Sequence, residues 1–343
     1  MTANVVTPDS IDAQRRQAEV LADRVARRSA IVDRTGVLLP FVVIFILAVA
    51  LVPGFLSGAN IRSVLVNASI VAIVGYGMTL AIAIRGLDLS VGAVAALSSV
   101  VTAGAINAAG APLGVLTGLL IGLIVGLVNG LLVAFMRIPA FVATLATMGV
   151  ARGAALLYSH GSRVTISDTG FRKLATGSVL GIPGPFLLAI LFCALTYVLL
   201  DRTRFGRHVC AVGGNPAAAR EAGLNERRLI VAVFGLSGVA AGVAGVLITS
   251  QLGSVDATPI QGLELQAIAI AVLGGTSLAG GSGNLPGTFI GALLLAMISA
   301  SLNLRNIPGY YQYLALGALL LLALGLDTLR QSLRSRLMAG GTS

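Results

Sequence analysis

Seven stretches of this chain carry no charge at all. Asp, Glu, Lys and Arg are missing from residues 35–61, 63–84, 89–136, 174–200, 229–255, 265–304 and 306–326. Each stretch matches or exceeds the ~20 apolar residues that a helix needs to cross a bilayer. Over all 343 residues only 10% are charged and 56% are hydrophobic, whereas a soluble domain carries roughly a quarter charged residues. A water-soluble fold has no means of covering so much apolar surface. The chain reads as an all-α, polytopic membrane protein.

Two of the stretches are too long for one span. Gly110-Ala111-Pro112 punctuates the first, and GGTSLAGGSGNLPG at 274–287 punctuates the second; clusters of Gly and Pro mark turns. With the segment from Pro139 that crosses Arg152, about ten spans result: 37–53, 63–84, 89–109, 113–135, 139–158, 185–200, 229–250, 265–279, 285–304 and 311–326. A basic segment, 1–36, precedes the membrane domain 37–328, and a tail, 329–343, follows it.

Basic residues collect in cytoplasmic loops. With residue 1 inside, 17 of the 23 basic residues fall on inner segments, and only Arg62, Arg163, Arg172, Lys173 and Arg305 fall on outer ones. Both termini are therefore expected in the cytoplasm. Topology and anionic lipid account for the net charge of +10, so nucleic acid is not needed as a partner. The polar stretch before the first apolar segment is longer than a signal-peptide leader, so the first helix is expected to be retained. Cys193 lies in a span and Cys210 in a loop, which argues against a disulfide.

The sequence also repeats itself. GLDLSVGAVAAL at 86–97 lies over GLELQAIAIAVL at 262–273 with six of twelve positions identical, and Asp88 falls on Glu264. IPAFVATL at 138–145 lies over IPGYYQYL at 307–314, while Pro112 and Asn129 share one offset with Pro286 and Asn303. Spans one to five thus pair with spans six to ten. Five is odd, so the second copy enters the membrane from the opposite side, an inverted-topology repeat of the kind transporters use.

That arrangement places Asp88 at the inner water boundary and Glu264 at the outer one, each at a helix start. Acids there can cap free amides and oppose the helix dipole, or they can contact a substrate. Gly86, Gly92, Gly274, Gly275, Gly280 and Gly281 beside them allow close backbone approach or plain helix packing. Arg152, the one charge inside a span, either snorkels outward or forms an ion pair with Glu264.

No phosphate-binding GxxxxGK[ST] loop occurs, and Lys173 is the sole lysine, so the chain is not its own ATPase. HExxH, CxxC and GxSxG are missing too, which leaves no catalytic or metal-binding residues to nominate. The most informative loop is 201–228. Asn215 suits an N-cap, Pro216 and Ala219 suit a helix, and Gly223 suits its end. A helix this short is marginal alone, so docking against another protein would supply the missing packing; a solvated loop helix is the alternative.

FGRHVCAVGGNPAAAREAGLN in this loop closely resembles ribose/xylose/galactose-type permeases of ATP-binding-cassette importers. GLDLSVG, NGLLVAFMRIPAFVATLATMGVARG, GLELQAIAIAVLGGTSLAGGSGNLPGTFIGALL and the closing ALGLD are similar to motifs of the same family, and the likeness runs from about residue 37 to 328. It departs at TLAT (144–147), Leu263 and Gln266. The resemblance implies a permease subunit of the bacterial cytoplasmic (inner) membrane, without cofactor of its own, that pairs with a second copy or a paralogue. Two ATPase subunits or one tandem ATPase would bind ATP and magnesium inside, and a sugar-binding protein would dock outside.

Residues 215–223 would be the coupling helix, with Arg220 and Glu221 as its charged contacts on the ATPase. The implied mechanism is alternating access, with outer loops 159–184 and 251–264 receiving the binding protein. Uncharged in-span residues Asn67, Asn129, Thr144, Thr147, Ser299 and Asn303 are candidates to line the path, although such residues also bond helix to helix. Branched-chain amino acids are the rival substrate, and a stand-alone secondary transporter or a non-transporting scaffold are the rival classes.

Overall fold

Helices form where the uncharged stretches lie. The computed structural model describes residues 36–257 and 262–339. Among them the first half holds α1 (Leu38–Leu51), α2 (Gly58–Ala83), α3 (Val91–Ala109), α4 (Ala111–Phe135) and α5 (Ala140–Ser159). The second half holds α7 (Gly184–Tyr197, continued by a π turn over Val198–Arg202), α10 (Glu226–Leu252), α11 (Leu263–Leu273), α12 (Leu285–Leu304) and α13 (Tyr310–Ala339). Between the halves and around them lie β1 (Val164–Thr165), α6 (Thr169–Thr176), β2 (Ser178–Val179), β3 (Ile182–Pro183), α8 (Arg204–Gly214), α9 (Pro216–Glu221) and β4 (Ser254–Val255). Among the described residues seven helices are long and apolar enough to span a membrane, and three shorter apolar ones lie at Leu38–Leu51, Leu263–Leu273 and Tyr310–Gly325. The expected segment 1–36 lies outside the described residues except for Gly36, as do 258–261 and 340–343. Helix α13 runs without a break to Ala339, so the expected tail continues a span.

Side-chain caps fix several helix starts. Ser57 accepts from the Asn60 amide, Asn225 from that of Arg228 and Asn284 from that of Gly287. Each satisfies an amide that has no partner in the first turn. Helix α2 is the axis of the bundle: Ala68, Ala72, Ile73, Val74, Tyr76 and Met78 are fully buried along it.

The repeat appears in the packing. α4 packs on α10 as α12 packs on α2; α3 packs on α10 as α11 packs on α2; and α3 meets α5 as α11 meets α13. At the α4–α10 crossing the side chains are glycines. Gly118, Gly122, Gly126 and Gly130 fall four apart on α4, and a methyl group at Gly122 or Gly126 would strike the backbone of Gly238. Small residues at this spacing let two helix backbones come together.

Two expectations need correction. Helix α11 has 11 residues, about 16 Å of rise against a hydrocarbon core of ~30 Å. It is half the length of a span, and it does not reach from one boundary to the other. Its first turn lies against the first turn of α3, where any side chain at Gly92 would collide with the Glu264 carboxylate. Asp88 and Glu264 therefore do not mark opposite faces, because the two helix starts of the repeat meet inside the bundle. For the same reason Asp88 is not at a water boundary and is 1% exposed.

Candidate functional site

Asp88 sits in the turn between α2 and α3, and three donors hold it there. Oδ1 accepts from the Ser90 amide at 3.1 Å and the Ser90 hydroxyl at 2.6 Å, while Oδ2 accepts from Ser237 on α10 at 2.8 Å. The network extends outward: Asn129 Nδ2 on α4 donates to Ser90 Oγ at 2.8 Å, and Thr147 Oγ1 on α5 donates to Asn129 Oδ1 at 2.6 Å. Thr144 Oγ1 accepts from the Leu89 amide at 3.1 Å and lies 3.0 Å from the Leu87 carbonyl. One polar cluster thus ties α3, α4, α5 and α10. Asp88 holds the Ser90 turn that precedes α3 and ties it to α10.

Asn129 and Thr144 are fully buried and engaged in this cluster, where they brace helices. Thr147 is half-buried beside them. The other path candidates lie elsewhere. Asn67 is exposed and accepts from Gln251 at 3.2 Å; Asn303 is exposed and accepts from Gln312 at 2.7 Å; Ser299 is half-buried on α12. The six are not gathered into one site. Nor does Arg152 pair with Glu264, for no ion pair joins them among the described residues. Glu264 is turned onto Gly92 of α3.

Removing the Asp88 carboxylate strands buried donors on two helices, at about 1–3 kcal/mol for each group left without a partner. Asp88→Ala is therefore expected to lower thermal stability in detergent sharply. Asp88→Asn should be much milder, since its carbonyl oxygen still accepts and the Ser237 hydroxyl can turn. A direct substrate contact would give the opposite signature, with transport lost in both variants at unchanged stability.

The segment 201–228 forms two helices where one was foreseen. Thr203 caps α8 through the Gly206 amide at 3.3 Å, and Val209 and Val212 bury its inner face. Their spacing, with Phe205, was a legible helical signal that the surrounding arginines obscured. Helix α9 follows as expected: Asn215 Oδ1 accepts from the Ala218 amide at 3.1 Å, Pro216 opens the helix, and Gly223 leaves it at φ +78. Ala219 is buried against the Val209 and Val212 face, while Arg220 and Glu221 point outward. Arg220 Nε lies 3.8 Å from Glu226 Oε2.

A tight clamp joins this unit to the bundle. Gly213 sits so close to the Ala83 carbonyl and to Gly281 that no side chain fits, and the Gly281 amide donates to Ala83 O at 2.9 Å. Arg85 completes it, donating to the Ala279 carbonyl at 2.8 Å and the Gly214 carbonyl at 2.9 Å. The short helix is thereby fixed to the end of α2 and to the α11–α12 turn, one element from each half.

At the other end of the bundle the foreseen loops 159–184 and 251–264 are joined. Val164 pairs with Val255 in the β1–β4 ladder, and Ser250 donates to the Phe171 carbonyl at 2.8 Å, docking α6 on α10. Asp168, which caps α6 through the Phe171 amide at 3.0 Å, was the unread signal for that helix.

Residues 60–324 match the family described as the branched-chain amino acid transport system/permease component. The chain belongs to this permease family. Among its relatives, the ribose import permease protein RbsC of Bacillus subtilis is 42% identical over 84% of this chain and 91% of its own length. RbsC of Escherichia coli K12 is 39% identical over 86% and 93%, and the L-arabinose ABC transporter permease protein AraH of Azospirillum brasilense 39% over 89% and 90%. No solved structure matches. As a family member the chain is a multi-pass membrane permease component.

Proposed function

We propose that this chain is the membrane-spanning subunit of an ATP-binding-cassette importer for a monosaccharide of the pentose or hexose class. ATP and magnesium are bound by two partner ATPase subunits or one tandem ATPase. A second copy or a paralogue completes the translocation unit, and an extracytoplasmic binding protein delivers the sugar to the face built by β1, β4 and α6. Both termini lie in the cytoplasm. Residues 215–223 enter the ATPase there, with Arg220 and Glu221 as outward charges.

The observation that carries this reading is the clamp between Gly213, Gly281, Ala83 and Arg85. A solvated loop helix would need no such attachment to both halves. Movement of α9 is delivered through it to α2 and to the α11–α12 turn, and α2 leads directly to the Asp88 cluster. Bistable packing of this kind is what turns a small displacement into rocking of repeats.

Vesicles carrying the purified chain, its ATPase and its binding protein are expected to accumulate ribose or arabinose only with ATP inside the ATPase compartment. Gradient-driven accumulation without any ATPase would make the chain a secondary transporter and end this reading. A second substrate class is favoured by one observation, the description of the matching family. Leucine accumulation in the same vesicles, with no uptake of either pentose, would select it. The sugar relatives of about 40% identity support the first choice.

A further inference from the structure

An apolar groove of about 330 Å³ lies between α4 and α10. Leu123 and Leu127 line it from α4, Ala232, Gly235 and Val239 from α10, Leu199 from the π turn and Phe205 from α8. Both walls extend past the groove by helical spacing. Leu131 and Phe135 continue the α4 stripe and are exposed; Arg228 lies four residues before Ala232, on the same face of α10.

The extension ends in positive charge. Arg204 and Arg207 flank Phe205, and the Arg227 guanidinium stands 5.5 Å from the centre of the Phe135 ring. Across 198–208 and 226–239 five arginines face two carboxylates, Asp201 and Glu226, and all five are exposed. An apolar slot with a cationic mouth at a helix end matches one ligand chemistry, an acyl chain below an anionic headgroup.

We propose that this groove is a binding site for an anionic phospholipid, with one acyl chain between α4 and α10 and the phosphate held by Arg204 and Arg228. A second copy of this chain is the less suited occupant, because its own arginines would meet a mouth of the same sign. The site rests only on the chain being a membrane protein and is independent of the solute carried. Because Phe205 of α8 lines the groove, a lipid seated there braces the unit that carries α9.

The chain has no tryptophan, so Phe205→Trp places a single fluorophore in the groove lining on α8, and Val239→Trp gives a second reporter on α10. The full-length protein is reconstituted in mixed phosphatidylcholine and phosphatidylglycerol vesicles of constant composition, with brominated acyl chains on either the glycerol or the choline lipid. Bromine on phosphatidylglycerol is expected to quench both reporters well above the same amount on phosphatidylcholine. Neutralising Arg204 and Arg228 to Gln should erase a preference of about fivefold for each arginine. Equal quenching by the two lipids would mean ordinary annular contact and overturn the site. No quenching by either would mean that protein covers the groove, and would overturn it equally.

Discussion

Gly122→Leu is expected to drive α4 away from α10 and leave no monodisperse protein after extraction in mild detergent. The side chain would project into the Gly238 carbonyl and onto the Gly242 backbone. A side chain can turn aside from an intruding group, whereas a helix backbone must move as a whole. Overpacked cores usually lose ~1–3 kcal/mol when neighbours can adjust; here the loss is at the top of that range or above it. Gly238→Leu should behave the same way, since it meets Gly122 and Gly126 from the other side. Gly58→Leu is the matched control: that glycine is exposed with nothing within 4 Å, and its variant should elute like the parent. Indifference of the Gly122 variant would mean that the two helices are not packed through their glycines.

Arg85→Gly separates transmission from folding. Arg85 holds φ +64, a conformation that costs an ordinary residue roughly 1 kcal/mol and glycine nothing. Glycine therefore recovers backbone strain while it deletes both bonds of the clamp, to Ala279 and Gly214. Stability is expected to change little. Coupling between sites is typically ~1–3 kcal/mol, so uptake in the assembled transporter should fall about tenfold or more while ATP hydrolysis continues. A variant that hydrolyses and transports as the parent does would remove the clamp from the pathway.

Most of the fold was legible because the rule that sets it is one-dimensional. A run such as 229–255 can only be buried or in lipid, and Pro112 or Pro286 can only open a helix. The end of α11 was signalled by the glycine cluster that begins at Gly274, where Gly275 at φ +98 stops the helix; a span drawn to 279 runs past that signal. Asp88 was misplaced for a different reason. Its partner Ser237 is 149 positions away, and nothing local distinguishes a carboxylate capped in water from one capped by a distant serine.

The short helix α9 was legible to the residue, because N-cap, Pro and Gly are local signals. The clamp beneath it was not, since it depends on Gly213 meeting Gly281 across the fold. Asn129, Thr144 and Thr147 were singled out for the right property, polarity inside a span, yet that property serves bracing as well as passage. Only the hydrogen-bond partners separate the two.

The central claim is that residues 215–223 carry motion from an ATPase into the bundle. Glu221 is exposed on α9, and Glu221→Cys in the assembled transporter should cross-link to the ATPase, with a yield that changes between the nucleotide-free and ATP-bound states. An impermeant thiol reagent should reach it from the cytoplasmic side only. Labelling of that cysteine from the outside, with no cross-link in either state, would contradict the account.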